Sequence, residues 1–529
     1  MDAYSPSQLQ PFLRSCLQES DQPIEGEQKG EIPKWLKGCL IRSGSGLLVV
    51  GPDKYNHLFD GMALLHRFAF SDGKVTYQNR FLRSDAYKKN MKHNRIVQTE
   101  FGTKGIPDPC KTIFQRFASM FSHDEPTDND MVNIIMYGKE PYSCTESCAI
   151  WKINPDTLDA VEKVKLNEHL PVNAAVAHAH EEPDGTVYNV GSFYSRHSSY
   201  CILKFPPKDE NVKNTFENSS VVCKIPASEP WKISYHHSFG MSDNYFIFVE
   251  QPMHISVSKL AWSRFSAATF AESMSWDDNA QTRFHVVRRS DGKLLDTVFV
   301  SKGFFTFHHI NAYEEDNQLI VDISAYKDGA VIKCGYIKAL EEMYLKNKNA
   351  IPLKAEAHRY VLPLSIPEGE KEEGKNLVTL PNCSATARYQ ADGKILLTHE
   401  ILTGSDPWFH ELPRINYKRN GKKYRYFYAM AKQETLADTN LIKVDTEKKE
   451  TISWSEEGAL PSEPVFLEEP GATDEDSGVL LASLLYRDDE KKVSMIVINA
   501  KTMQEIGRVN FMTQASVPGD FHGVFIPKD

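Results

Sequence analysis

No stretch of this chain reaches the ~18 consecutive apolar residues that a membrane-spanning helix needs. Residues 1–33 are polar and acidic, without a basic start leading into an apolar run, so no secretory leader is expected. Cysteine is sparse: nine in 529 residues, scattered between Cys16 and Cys383. The number is odd, and the nearest pair, Cys144 and Cys148, has no second pair at zinc-ribbon distance. The expectation is reduced thiols in the cytosol rather than a disulfide framework. A basic excess is also lacking, with 61 Lys and Arg against 71 Asp and Glu for a net charge of -10, which removes the electrostatic basis for nucleic-acid binding. Nucleotide fingerprints are missing too. The one glycine-rich stretch, Ser43-Gly44-Ser45-Gly46, runs into Leu47-Leu48-Val49-Val50 and reads as a turn between strands.

What the chain does have is β structure. Apolar runs at Phe246-Ile247-Phe248-Val249, Leu319-Ile320-Val321, Ile395-Leu396-Leu397, Val479-Leu480-Leu481 and Met495-Ile496-Val497 are closed by Gly or Asp turns. Asp-Gly pairs at Asp72-Gly73, Asp184-Gly185, Asp291-Gly292 and Asp392-Gly393 sit beside such runs, as hairpins require. Helical periodicity is confined to two places, Ile337–Leu345 and residues 110–121. The polar stretches 208–220 and 368–375 read as surface loops, too short to divide the chain, so one domain is expected over 1–529, with 1–31 a polar N-terminal extension.

Among the 18 histidines, four contexts stand out: Ala177-His178-Ala179-His180, Tyr235-His236-His237-Ser238, Phe307-His308-His309-Ile310-Asn311 and Phe521-His522-Gly523. Taking His178, His237, His308 and His522, the third gap is close to three times the second. A unit of roughly seventy residues fits seven times into the chain, and a β-propeller aims the inner strand of every blade at one axis. Histidines on several inner strands then converge. Strand alternation lets only one ring of each adjacent His pair face that axis, whereas His178 and His180 share a face and alternation does not choose between them.

The stretches Ile32-Pro33-Lys34-Trp35-Leu36-Lys37-Gly38, Asn56-His57-Leu58-Phe59-Asp60-Gly61, Thr145-Glu146, Asn376-Leu377-Val378-Thr379-Leu380-Pro381-Asn382 and Pro461-Ser462-Glu463-Pro464, with the four histidine contexts, resemble the carotenoid cleavage oxygenases over nearly the whole chain. The likeness is to the animal branch, which includes β-carotene oxygenases, the retinal pigment epithelium isomerohydrolase and insect NinaB-type isomerooxygenases. The resemblance implies an all-β, seven-bladed propeller capped over its metal axis by loops and short helices. It implies Fe(II) held by His178, His237, His308 and His522, with His180, His236 and His309 as neighbours. His308 is chosen over His309 because the family's ligand is followed three residues later by Asn, here Asn311. It further implies that Glu146, Glu411 and Glu463 take the outer nitrogens of the ligand rings, which fixes the tautomer and raises ring basicity. Four neutral ligands without a carboxylate differ from the facial triad of other ferrous oxygenases.

By the same resemblance, the substrates are a carotenoid and O2. Cleavage at the central 15,15′ double bond gives retinoid aldehydes, with trans-to-cis isomerisation of one half, supplying visual chromophore. The alternative is a retinyl-ester isomerohydrolase that needs no O2. A non-catalytic carotenoid carrier is disfavoured by the complete ligand and carboxylate sets. Such substrates reside in bilayers, and residues 110–121 place Ile113, Phe114, Phe117 and Phe121 on one helical face beside Cys110, with Lys111 and Arg116 for headgroups. From the residues alone core packing is the favoured use of this face; the resemblance favours peripheral membrane contact by a cytoplasmic protein. Leu260-Ala261-Trp262-Ser263-Arg264-Phe265 is a second such patch, its Trp suited to an interface.

Overall fold

The computed structural model describes residues 11–106, 126–208, 212, 214–263, 268–345, 354–366, 369, 371–404, 409–432 and 439–528. Seven sheets of four or more strands are arranged as the blades of a propeller. In chain order their second strands are Gly38–Leu47, Glu140–Cys144, Val187–Phe193, Tyr245–Glu250, Gln318–Tyr326, Tyr426–Lys432 and Gly478–Tyr486, which we number blades 1 to 7. Among the described residues the pairing within blades is antiparallel except for one parallel pair, which joins Phe299–Ser301 of blade 4 to the later strand Ile395–Thr398. A three-stranded sheet of Lys232–Ser234, Met253–Ser256 and Met274–Trp276 branches from blade 4.

The Asp-Gly turns behave as their chemistry dictates. Asp72 and Gly73 both take positive φ, 49° and 77°, joining Met62–Ser71 to Lys74–Phe81, and Gly185, Gly292 and Gly393 are likewise left-handed. The strand runs and the helix Ile337–Leu345 lie where the sequence places them. Other helices escape periodicity. Asp85–His93 carries only Ala86, Tyr87 and Met91 as apolar residues, too few to show a clear period, and its signals are caps: the Ser84 side chain accepts from the Tyr87 amide, and Asn94 closes the helix with φ 49°. The expected helix over 110–121 lies outside the described residues.

The core lies between blades rather than at one centre. Leu40 and Phe68 of blade 1 pack with Val479, Leu481 and Val497 of blade 7, and Ile310 and Ile320 of blade 5 with Phe427 and Ile442 of blade 6. Each such buried side chain contributes roughly 1.5–3 kcal/mol, so adjoining blades hold one another in place. The ring closes by interlocking the two ends of the chain. Glu27–Gly30 adds to the outer edge of blade 7, while His522–Pro527 forms the inner strand of blade 1, with Ser43 opposite His522. Buried Arg42 secures the joint, donating to Asp520 Oδ1 at 2.7 Å and to the Glu463 and Phe521 carbonyls.

Candidate metal centre

The four histidines meet at the axis. His178 lies between the short inner strands Ala174–Ala175 and His180–Glu181 of blade 3. His237 precedes Gly240–Met241 of blade 4, His308 is in Phe305–Glu315 of blade 5, and His522 opens the inner strand of blade 1. The long interval from His308 to His522 therefore spans three blade steps. One ring nitrogen from each of the four lies within 4.8 Å of all the others. His178 Nε2 is 2.9 Å from His237 Nε2, and His308 Nε2 is 3.3 Å from His522 Nε2.

Blades without one of these histidines supply carboxylates. Glu146 of blade 2 accepts from His237 Nδ1, Glu411 of blade 6 from His308 Nδ1, and Glu463 of blade 7 from His522 Nδ1 at 2.8 Å. Burial alone would raise the Glu463 carboxyl, but the Arg414 guanidinium and the His522 ring outweigh it and hold it well below the usual carboxylate range. Burial also raises Glu411, and the adjoining His308 ring reverses that shift. Two partners were not expected from the sequence. Tyr235 donates its hydroxyl to Glu146 Oε1 at 2.9 Å, and Arg414 Nη2 donates to Glu463 Oε2 at 3.0 Å. Tyr235 sits two residues before His237, a spacing that strand alternation makes readable; Arg414 gives no such sign.

No carboxylate is recorded against His178 among the described residues. Its backbone is pinned instead. Asn133 Nδ2 donates to the Ala177 carbonyl at 2.7 Å, and Asn189 Nδ2 to the Val176 carbonyl at 2.9 Å. Each asparagine also accepts, through Oδ1, from the amide of the following residue, so its amide group is fixed in orientation. The neighbouring histidines have other work. His180 Nε2 bonds the Phe239 carbonyl at 2.9 Å, His236 Nδ1 faces the Ser234 carbonyl at 3.3 Å, and His309 Nδ1 pairs with Ser238 Oγ at 2.9 Å.

This donor set fits a cation. A carboxylate only accepts, so Nδ1 of His237, His308 and His522 carries the proton and their Nε2 atoms present lone pairs. Burial pushes His522 down to about 4 and His178 well below its ordinary value, which keeps both rings neutral. Two acceptor nitrogens 3.3 Å apart, His308 Nε2 and His522 Nε2, cannot hydrogen-bond each other. Such convergence is unfavourable without a Lewis acid, and nitrogen-rich neutral sets suit Fe, Zn or Cu rather than Mg or Ca.

A cavity of about 1550 Å³ opens at the site and includes His237, His308 and His522 in its wall. That exceeds the ~300–1,000 Å³ of ordinary small-molecule sites. Phe59, Phe101, Phe270, Phe307 and Phe521 line it, and Ile106 and Pro126, the described residues flanking 107–125, lie on its wall. Of the second predicted patch, Leu260 and Ala261 face this cavity, whereas Trp262 is 67% exposed. No described helix is long and apolar enough to cross a membrane.

Four convergent imidazoles on a propeller axis, three of them backed by carboxylates, and a large cavity walled by aromatic rings together define a class of protein with a nitrogen-rich metal centre opening on an apolar pocket. Residues 13–527 match the family model described as retinal pigment epithelial membrane protein, and the chain belongs to this family of carotenoid oxygenases. It is 40% identical to the mitochondrial carotenoid-cleaving dioxygenase of Mustela putorius furo, over 97% of this chain and 96% of that one. It is 39% identical to the β,β-carotene 15,15′-dioxygenase of Gallus gallus, over 97% of each. Cobalt-substituted Synechocystis apocarotenoid oxygenase has the same fold, with a TM-score of 0.77 over the full length of both chains at 20% identity.

Proposed function

We propose that this protein is an iron(II) dioxygenase that cleaves a carotenoid at its central 15,15′ double bond into two retinoid aldehydes, one of them isomerised from trans to cis, and so supplies visual chromophore. The observation that carries this reading is the convergence of lone-pair nitrogens from His178, His237, His308 and His522 beside a cavity of about 1550 Å³ lined by aromatic rings. The names of the ferret and chicken relatives support carotenoid cleavage.

In this reading the four imidazoles would hold Fe(II), which would supply the redox-active centre for activating dioxygen. The four electrons that reduce O2 come from the alkene, whose carbon–carbon double bond becomes two carbonyls, so no outside reductant is required. Glu146, Glu411 and Glu463 keep the Nδ1 protons in place and offset the metal's charge, which four neutral ligands leave untouched. Phe307, with its ring centroid 5.1 Å from that of His237, and Phe59 and Phe521, 5.7 Å apart, form an apolar wall that excludes water from the reacting bond. The two halves of the polyene extend in opposite directions from the bond that is cut, which allows one to isomerise alone. Residues 110–121, with Cys110, Ile113, Phe114, Phe117 and Phe121, provide peripheral membrane contact for substrate entry.

The test is product analysis by chromatography after incubating iron-loaded protein with a carotenoid or with a retinyl ester. Central cleavage gives two aldehydes of equal length from the carotenoid, one cis. Unequal aldehydes would move the cut away from the centre, and retinol from the ester with no aldehyde from any carotenoid would make the protein an isomerohydrolase.

A further inference from the structure

On the outer two strands of blade 5 and the link into them, Glu356, His358 and His399 place one ligand-type atom each within 4.8 Å of the others. Glu356 and His358 lie on the third strand of the blade, Ala355–Pro363. His399 occupies the single position between Ile395–Thr398, which extends the sheet of blade 4, and Glu400–Ile401, which forms the outer edge of blade 5. The three residues therefore sit where the chain steps from one blade to the next.

Their surroundings are unusual for surface polar groups. His358 is 7% exposed, and its Nδ1 is buried without a hydrogen-bond partner, while Nε2 contacts Glu356 Oε2 at 3.2 Å. The His399 ring is exposed and stacks on His358, centroids 3.5 Å apart and planes within 6°. Close by is His410, 1% exposed, whose two ring nitrogens have no partner of good geometry; the charges of Glu356 and Lys354 act on it, and the Ala355 carbonyl lies beside it. An unpartnered buried imidazole costs free energy that an aromatic or aliphatic residue would not. Here the two buried rings, His358 and His410, flank one carboxylate.

We propose that Glu356, His358 and His399 bind a divalent transition-metal ion of the zinc class, separate from the axial site, and that this ion clamps the crossover between blades 4 and 5. Two imidazoles and one carboxylate are a nitrogen-rich, borderline set that favours zinc or copper over calcium or magnesium, which require oxygen ligands. A metal cannot lie in the planes of two parallel stacked rings at once. Binding therefore turns the exposed His399 ring out of the stack, at the expense of that contact and of the 2.7 Å ion pair between Lys354 and Glu356. Three protein ligands leave the remaining position to water.

The probe is Zn2+. Protein already loaded with Fe(II) is equilibrated with micromolar Zn2+, freed of unbound metal, and analysed for both elements; thermal unfolding is followed with and without Zn2+. The wild type should carry one zinc per chain with its iron retained, and its Tm should rise on addition of Zn2+. His399→Ala, at an exposed position, and Glu356→Gln should keep the iron, lose the zinc and abolish the Tm shift. Zinc content equal in the wild type and His399→Ala overturns the proposal, as does zinc that enters only as iron leaves.

Discussion

Glu463 of blade 7 accepts the Nδ1 proton of His522 of blade 1 at 2.8 Å, so this contact of the candidate metal centre spans the joint where the last blade meets the first. The same carboxylate takes the Arg414 guanidinium and the Gly523 amide, and its own carbonyl accepts from Arg42. Ring closure and ligand orientation are thus one hydrogen-bonded unit.

Glu463→Gln keeps the shape but offers one acceptor oxygen where two were used, and it removes the charge facing Arg414. Iron affinity should fall by roughly ten- to a hundredfold, in the range of outer-shell partners of metal-bound histidines. Equilibrium dialysis against Fe(II) measures this; affinity equal to wild type would show that the carboxylate does not tune the site.

His308 and His309 are adjacent and point to different partners. His308→Ala should abolish iron binding, and His309→Ala, which removes a contact with Ser238 Oγ, should retain it. Metal analysis of the two variants decides the assignment, and the reverse pattern would show that the neighbouring ring is the ligand.

The seven-blade count was legible because the interval from His308 to His522 is three blade steps, and hairpins were legible because Asp72-Gly73 needs left-handed backbone that few other residue pairs adopt. The pairing of each carboxylate with its ring was not. Glu146 meets His237 across two blade boundaries, and spacing along the chain does not state which blade edges face each other; that set came from family resemblance. Arg414 and the Asn133 and Asn189 clamps on the His178 strand were illegible for the same reason. They act on backbone carbonyls or on another blade, and a carbonyl carries no sequence signature.

Asn133→Ala should expose that clamp. The Ala177 carbonyl loses its 2.7 Å donor next to His178, with a stability cost of about 1–3 kcal/mol for the unsatisfied buried group. Iron affinity should drop while urea unfolding stays cooperative. Unchanged affinity would mean the His178 strand holds its place without Asn133.

Stability should fall on mild acidification. Burial lowers His57, His66, His180, His236 and His410 from 6.5 to about 4. The unfolded chain then takes up protons first as the pH drops, so the loss starts near 6.5 and grows toward 4. Asp60, raised to about 6 by burial, and Glu100, Asp130 and Glu181, also raised by burial, oppose this because they gain protons in the folded state first, but with His178, His254, His309 and His522 lowered by burial as well, the histidines outnumber them. The urea midpoint at pH 5 should lie clearly below that at pH 7.5; equal midpoints would show these rings to be hydrated.

The most direct test of the central claim follows the product oxygens. Iron-loaded protein is given a carotenoid under labelled dioxygen, and the aldehydes are analysed by mass spectrometry before their carbonyls exchange with water. A dioxygenase with this site places one labelled atom in each of the two aldehydes and stops in anaerobic buffer. Aldehydes carrying only solvent oxygen, or undiminished turnover without O2, would contradict it.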